Sequence, residues 1–412
     1  MKAFVVGKLI DGTGAPPLEN AVLLVEANRI TELGIKGEIQ IPHTAEIVEA
    51  PTSVLMPGMV DVHVHLAYSG IPHQRAFRAE TVDMSYPKMA LRAAAYAMDT
   101  LKAGFTSVRD LNAPGGVVID LRDAINNGYL NGPRIKACGL GLSVTGGHMD
   151  QPGWGDHVHH ENMTCVCDGS EGFRKGVRKQ VKRGADLIKI NVCVSSIKDL
   201  SRPYIQEMSD EEIAAACQEA HELGRHVAAH TSGGPAITKA VKAGLDSVEH
   251  GHWIDEETAD LMAEYGTTYV PTLLVNERNF DFTKEDMGAS ADSWRWLELS
   301  REAKWESLER VHKAGVKIAV GTDSGFMLPH GEMNSRELEL LVKGGLSPLE
   351  ALCAATKTGA ELLELHDLGT LEVGKIADMI LVDGDPLQDI QVLRDQTKLT
   401  VFQAGKLISE KA

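Results

Sequence analysis

Lys102-Ala103-Gly104-Phe105-Thr106-Ser107-Val108 closes an amphipathic helix and opens a short apolar strand. A basic residue suits the negative end of a helix, a glycine takes the left-handed cap, and the β-branched run that follows favours a strand. The unit returns as Lys182-Arg183-Gly184-Ala185-Asp186-Leu187-Ile188, as Lys242-Ala243-Gly244-Leu245-Asp246-Ser247-Val248 and as Lys313-Ala314-Gly315-Val316-Lys317-Ile318-Ala319-Val320. A fifth junction follows a helix predicted over Ser209 to Leu223, where Ser209 and Glu212 have capping-box spacing and Gly224 precedes Val227-Ala228-Ala229. Strands near Val60 to His65, Arg134 to Gly139 and Thr268 to Val270 bring the count to eight over about 300 residues, the size of a (β/α)8 TIM barrel. An open doubly wound sheet is the rival, but no G-x-G-x-x-G or G-x-x-x-x-G-K-[ST] fingerprint follows any strand.

The flanks read differently. Residues 1–57 hold short strands and turns (Ala3 to Val6, Ala21 to Val25, Ile30 to Leu33), and residues 366–412 repeat that style around Gly369 to Asp383 and Leu399 to Gln403. Neither end is long enough to bury a sheet face alone, so both are expected to join in one small β-sandwich around a barrel of residues 58–365.

A chain of 412 residues with 43% hydrophobic content can bury one large core and a smaller one. Its formal charge of −17 argues against nucleic acid or an anionic membrane as partner, because either calls for a basic face. There is no apolar run long enough to span a bilayer and no signal-like start, so the expected setting is the cytoplasm, with a small-molecule substrate and room for a homo-oligomer. Cys138, Cys165, Cys167, Cys193, Cys217 and Cys353 lack metal-ribbon or redox spacing and read as free thiols; Cys193, near a strand end, reads as a small apolar filler rather than a nucleophile.

The chemistry sits where strands end. Val60-Asp61-Val62-His63-Val64-His65 places two imidazoles on one strand face, since alternate residues point the same way. Lys189, His230, His250 and Asp323 end later strands. Taken singly, Lys189 is a solvated lysine, His230 and His250 are hydrogen-bonded core histidines, and Asp323 is a helix cap. A barrel changes that reading, because it points all its strand C-termini into one mouth.

With those residues in place, the chain resembles the metal-dependent hydrolases of the amidohydrolase superfamily, and most nearly their prolidase-like branch of Xaa-Pro dipeptidases, imidazolonepropionases and relatives. The motifs that carry the resemblance are Pro57-Gly58-Met59-Val60-Asp61-Val62-His63-Val64-His65, Asp186-Leu187-Ile188-Lys189, Ala229-His230, Val248-Glu249-His250-Gly251 and Gly321-Thr322-Asp323-Ser324-Gly325, with Gly374-Lys375-Ile376-Ala377-Asp378 marking the return to the sandwich. The resemblance implies two divalent metal ions: one held by His63, His65 and Asp323, the other by His230 and His250, with Lys189 between them as an N-carboxylysine. Zinc suits that donor set best, with manganese, cobalt and iron as alternatives. Two ions sharing a water would lower its pKa toward neutrality, and Asp323 would carry the proton from that nucleophile to the leaving nitrogen. His148, in Thr145-Gly146-Gly147-His148, resembles the branch's Thr-Gly-Gly-His loop and would help polarise the substrate carbonyl.

One position departs from the branch: Ser232 stands two residues past His230, where the relatives carry a tyrosine or histidine that grips substrate. Further expectations are weaker. Trp154 to His160, with His157, His159 and His160, reads as a surface loop, with a lid or an extra metal patch as the alternatives; Asn276 to Trp296 reads as helix packing or as an apolar pocket wall. Arg202 and Arg278 are candidate carboxylate clamps, with surface ion pairs as the default. The resulting expectation is a binuclear hydrolase of an amide C–N bond in a dipeptide or N-acyl amino acid. Its rivals are a hydrolase of cyclic amides, ureas or carbamates, and a catalytically silent barrel that acts in assembly.

Overall fold

A computed structural model describes residues 1–150, 163–193, 204–331 and 333–409. The parallel strands β1 (Met59–Val64), β2 (Phe105–Asp110) and β3 (Arg134–Ala137) form one run, and β4 (Leu142–Ser143), β5 (Ile188–Asn191), β6 (Val227–Gly233), β7 (Ser247–Trp253) and β8 (Thr268–Val270) form a second. Strands β3 and β4 are two halves of one barrel stave, interrupted at Gly139, and Asp186 N–H donates across the gap to Ala137 C=O at 2.9 Å. The last stave is the segment around Ile318 to Ser324. It bridges to Tyr269 on one side and to Val64 on the other, and Val62 N–H reaches Val320 C=O at 2.9 Å. These bonds close the sheet into the expected (β/α)8 barrel and exclude the open-sheet rival.

The junction motif explains the wrapping. Gly104, Gly184, Gly244 and Gly315 all adopt φ between +73° and +98°, where a Cβ would be strained, and each lies between a helix and the next stave. The helix Asp210–Glu222 starts with the predicted capping box, Ser209 and Glu212 satisfying each other's end of the first turn.

Both chain ends meet in one seven-stranded sheet, in the order Lys406–Ser409, Leu399–Gln403, Met379–Val382, Glu46–Pro57, Lys2–Leu9, Leu18–Glu26, Arg29–Ile35. Alternate residues of Lys2–Leu9 bury on opposite sides: Phe4, Val6 and Leu9 pack with Leu23, Met379 and Phe402, while Ala3 and Val5 pack with Val22 and Leu24. The Phe4 and Phe402 rings meet edge to face at 5.0 Å, and Arg134 of the barrel pairs with Asp378 at 3.0 Å. No helix among the described residues is long and apolar enough to cross a membrane. None of the six cysteines forms a disulfide; Cys193 is buried in the main core, and burial pushes its thiol up to about 11, which fits a filler and not an activated nucleophile.

Candidate metal centre

His63, His65, Lys189, His230, His250 and Asp323 are all buried, each on its stave or directly after it, with exposures of 1–8%. The His63 ring lies 5.3 Å from His65 and 5.0 Å from His250, and His230 lies 4.5 Å from His250, centroid to centroid. Asp323 Oδ1 is 3.0 Å from His65 Nε2 and 3.6 Å from His63 Nε2. Ligand atoms of His63, His250 and Asp323 lie within 4.8 Å of one another.

Backbone geometry makes this crowding achievable. Glu249 and His250 are sequence neighbours, and in a regular strand they would face opposite ways. His250 instead has φ +69°, so both reach His63. Thr272 (φ +46°) and Asp323 (φ +64°) show the same left-handed turn at the ends of their staves. Such conformations cost about 1–3 kcal/mol each in non-glycine residues and persist only where the surroundings impose them.

The far side of each ring is held. Glu249 Oε2 lies 2.7 Å from His63 Nδ1, Thr272 Oγ1 lies 2.8 Å from His250 Nδ1, and the Asn112 carbonyl is 3.4 Å from His65 Nδ1. These partners leave the Nε2 atoms of His63 and His65 for the cluster, the arrangement in which an orienting group fixes the ring of a metal-binding histidine. Burial, reinforced by the Lys189 charge, lowers the His63 pKa to about 4, and burial takes His230 and His250 well below the usual imidazole value. All three imidazoles are thus neutral near pH 7, as ligation requires. His230 Nε2 is buried with no hydrogen-bond partner among the described residues, and Asp323 Oδ1 likewise makes no geometrically acceptable hydrogen bond. Neutral nitrogen donors, an ionised carboxylate and two orphaned polar atoms fit a divalent cation better than they fit each other.

Lys189 makes no ion pair among the described residues, and burial lowers its pKa to about 8. His148 stacks on His230 at 3.9 Å, its backbone N–H donating to Glu207 Oε2 at 2.8 Å, so the Thr-Gly-Gly-His loop does reach the cluster. Ser232 is fully buried on β6. Arg278 Nη1 pairs with Asp281 at 2.7 Å and its guanidinium lies over Phe282 at 4.5 Å. Arg202, His157, His159 and His160 fall outside the described residues. Of the aromatics near β8, Trp296 packs against His252 and Trp253 (5.1 and 5.8 Å) beside the cluster, whereas Trp294 packs on Phe280.

Sequence reasoning passed over the groups that support the ligands. Glu249 also pairs with Arg109 Nη2 at 2.7 Å and accepts from Ser247 Oγ at 2.6 Å. Burial pushes its carboxyl up, but Arg109, His63 and Lys189 together more than offset that, holding it at about 2. Asp61 ties the first stave to the last, accepting from His63 N–H (3.2 Å), from Thr322 Oγ1 (2.7 Å) and from Asn334 Nδ2 (2.8 Å). The signal was present: a charge inside a stave buried on both faces needs a partner. Glu249→Ala would leave Arg109 buried without its carboxylate. The expected result is a loss of about 3–5 kcal/mol in denaturant unfolding together with roughly 10–100-fold weaker metal binding; wild-type values for both would remove Glu249 from the support.

A closed barrel with buried imidazoles and a carboxylate at its C-terminal mouth is the architecture of a barrel enzyme with a metal centre. The amidohydrolase family pattern matches residues 54–408. Ochratoxinase from Aspergillus niger is 32% identical over 427 aligned positions, covering 97% of this chain and 85% of that protein. Among solved structures, a Xaa-Pro dipeptidase with bound methionine in its active site superposes with a TM-score of 0.88 (32% identity; 98% and 99% of the two chains). A prolidase complexed with N-methylphosphonate-L-proline superposes at 0.87 (32% identity; 100% of both chains). The chain belongs to the amidohydrolase family, in its prolidase-like branch, and is a hydrolytic enzyme acting on C–N bonds.

Proposed function

We propose that the protein is a binuclear metal-dependent hydrolase that cleaves the amide bond of a dipeptide or an N-acyl amino acid. The observation that carries this reading is the convergence of four buried imidazoles and Asp323 around a buried lysine that makes no ion pair among the described residues. His63, His65 and Asp323 would hold the more buried ion and His230 and His250 the other. Lys189 fits between them only after carboxylation, because an ammonium repels a cation whereas its carbamate offers two oxygens and a negative charge. Its lowered pKa favours the free amine, the form that combines with carbon dioxide.

When bound, the ions supply Lewis acidity and bring the pKa of a water toward neutrality. The chain's own groups do the rest. Asp323, whose carboxylate faces His63 and His65, accepts the proton released in attack and delivers it to the departing nitrogen. His148, kept neutral by burial, donates an N–H toward the carbonyl oxygen. The rotamer of His230 is steadied by the His148 ring stacked on it. Relatives named as a Xaa-Pro dipeptidase and a prolidase support a dipeptide substrate. Ser232 stands where the resembling branch carries a tyrosine or histidine that grips substrate, and that departure keeps N-acyl amino acids in the proposal.

A panel of dipeptides, N-acyl amino acids, cyclic amides, ureas and carbamates, screened with added zinc, tests the substrate class. Turnover is expected among the first two groups, and activity confined to the last three would overturn it.

A further inference from the structure

Lys304 lies in the middle of the long helix Ala291–Lys313, outside the barrel wall, yet is only 1% exposed. Its Nζ donates to the Thr272 carbonyl at 2.9 Å and to Thr272 Oγ1 at 3.3 Å, and that same Oγ1 lies 2.8 Å from His250 Nδ1. A buried ammonium with no carboxylate within ion-pairing distance among the described residues is costly, so its hydrogen bonds must offset that cost.

The same helix face reaches the next strand end. One turn on, Ser307 Oγ donates to His252 C=O at 2.9 Å and accepts from Ile254 N–H at 2.9 Å, and Arg310 Nη1 donates to Ile254 C=O at 3.1 Å. From the other side, the Glu337 carboxylate accepts the N–H groups of Leu273 and Leu274 at 2.8 and 2.6 Å. Thr272, a β-branched residue in a left-handed conformation, is thus gripped on both flanks, and His250 hangs from its hydroxyl.

We infer that Lys304 is a positioning residue for the metal centre: through Thr272 it fixes the His250 ring in its ligating orientation. This rests on the reading of His250 as a ligand given above. Lys304 touches no reacting atom; it acts by making the strained Thr272 conformation the stable one and holding Oγ1 at the distance where it anchors Nδ1. Orienting partners of ligating histidines are typically worth 10–100-fold in metal affinity, and Lys304 stands one bond further out.

The test measures metal affinity by competition with a chelator, in parallel with thermal unfolding, for the wild-type protein and for Lys304→Met, which keeps the aliphatic stem and removes the donors. The expected result is a folded Lys304→Met protein that retains one ion at wild-type affinity and binds the second at least tenfold more weakly. Thr272→Val should reproduce that loss and Thr272→Ser should spare it, which keeps the inference testable if Lys304→Met fails to fold. A Lys304→Met protein with a lower unfolding temperature but wild-type affinity for both ions would show a structural role only and overturn the inference. Wild-type protein that binds no metal would instead overturn the reading of the centre itself, and the inference with it.

Discussion

Asp323→Asn is expected to fold, to bind substrate with a KM near that of the wild type, and to turn it over about 10²–10⁴-fold more slowly, the usual worth of a positioned acid/base group. The substitution preserves shape, and asparagine tolerates the left-handed φ of +64° that this position requires, so misfolding is not the expected cause of loss. What it removes is the ionised oxygen that faces His63 Nε2 and His65 Nε2 at 3.6 and 3.0 Å and the capacity to take up a proton there. Because Asp323 is also read as a ligand, metal content must be measured on the same sample. A fall in kcat at full metal occupancy isolates the proton-transfer role, and a near wild-type rate would remove Asp323 from the mechanism.

Lys189→Ala should be at least as damaging, by a different route. The position is 4% exposed and is surrounded by His63, His148, His230 and His250, whose pKa values its charge already lowers. Alanine leaves no negative ligand between the two proposed ions, so metal content should fall toward one equivalent or less and turnover by orders of magnitude. The space vacated by the side chain suits a short carboxylate, and millimolar acetate or propionate should restore part of both. Unchanged metal content and turnover would reject the carboxylated lysine.

The barrel was legible because its signal is local. Each Lys-x-Gly junction carries its own reason to end a helix and start a stave, and repetition turned a weak pattern into an architecture. The candidate ligands were legible for a related reason: the barrel converts separate strand ends into one mouth without further information. Glu249, Lys304 and Thr272 were not, because their meaning lies in contacts that the chain makes across long separations, His63 with Glu249 over 186 residues and Lys304 with Thr272 over 32. The strand periodicity even argued against Glu249, placing it opposite to His250. A left-handed φ at a histidine overrides that alternation, and nothing in Val248-Glu249-His250 announces it.

The most direct test of the account is the metal content of the purified protein, determined by elemental analysis alongside mass spectrometry under non-denaturing conditions. A carbamate-bridged binuclear centre requires close to two equivalents of divalent metal per chain, a mass addition of about 44 Da on Lys189, and activity that disappears with chelation and returns with zinc. A fully active protein that carries no metal and an unmodified Lys189 would contradict it.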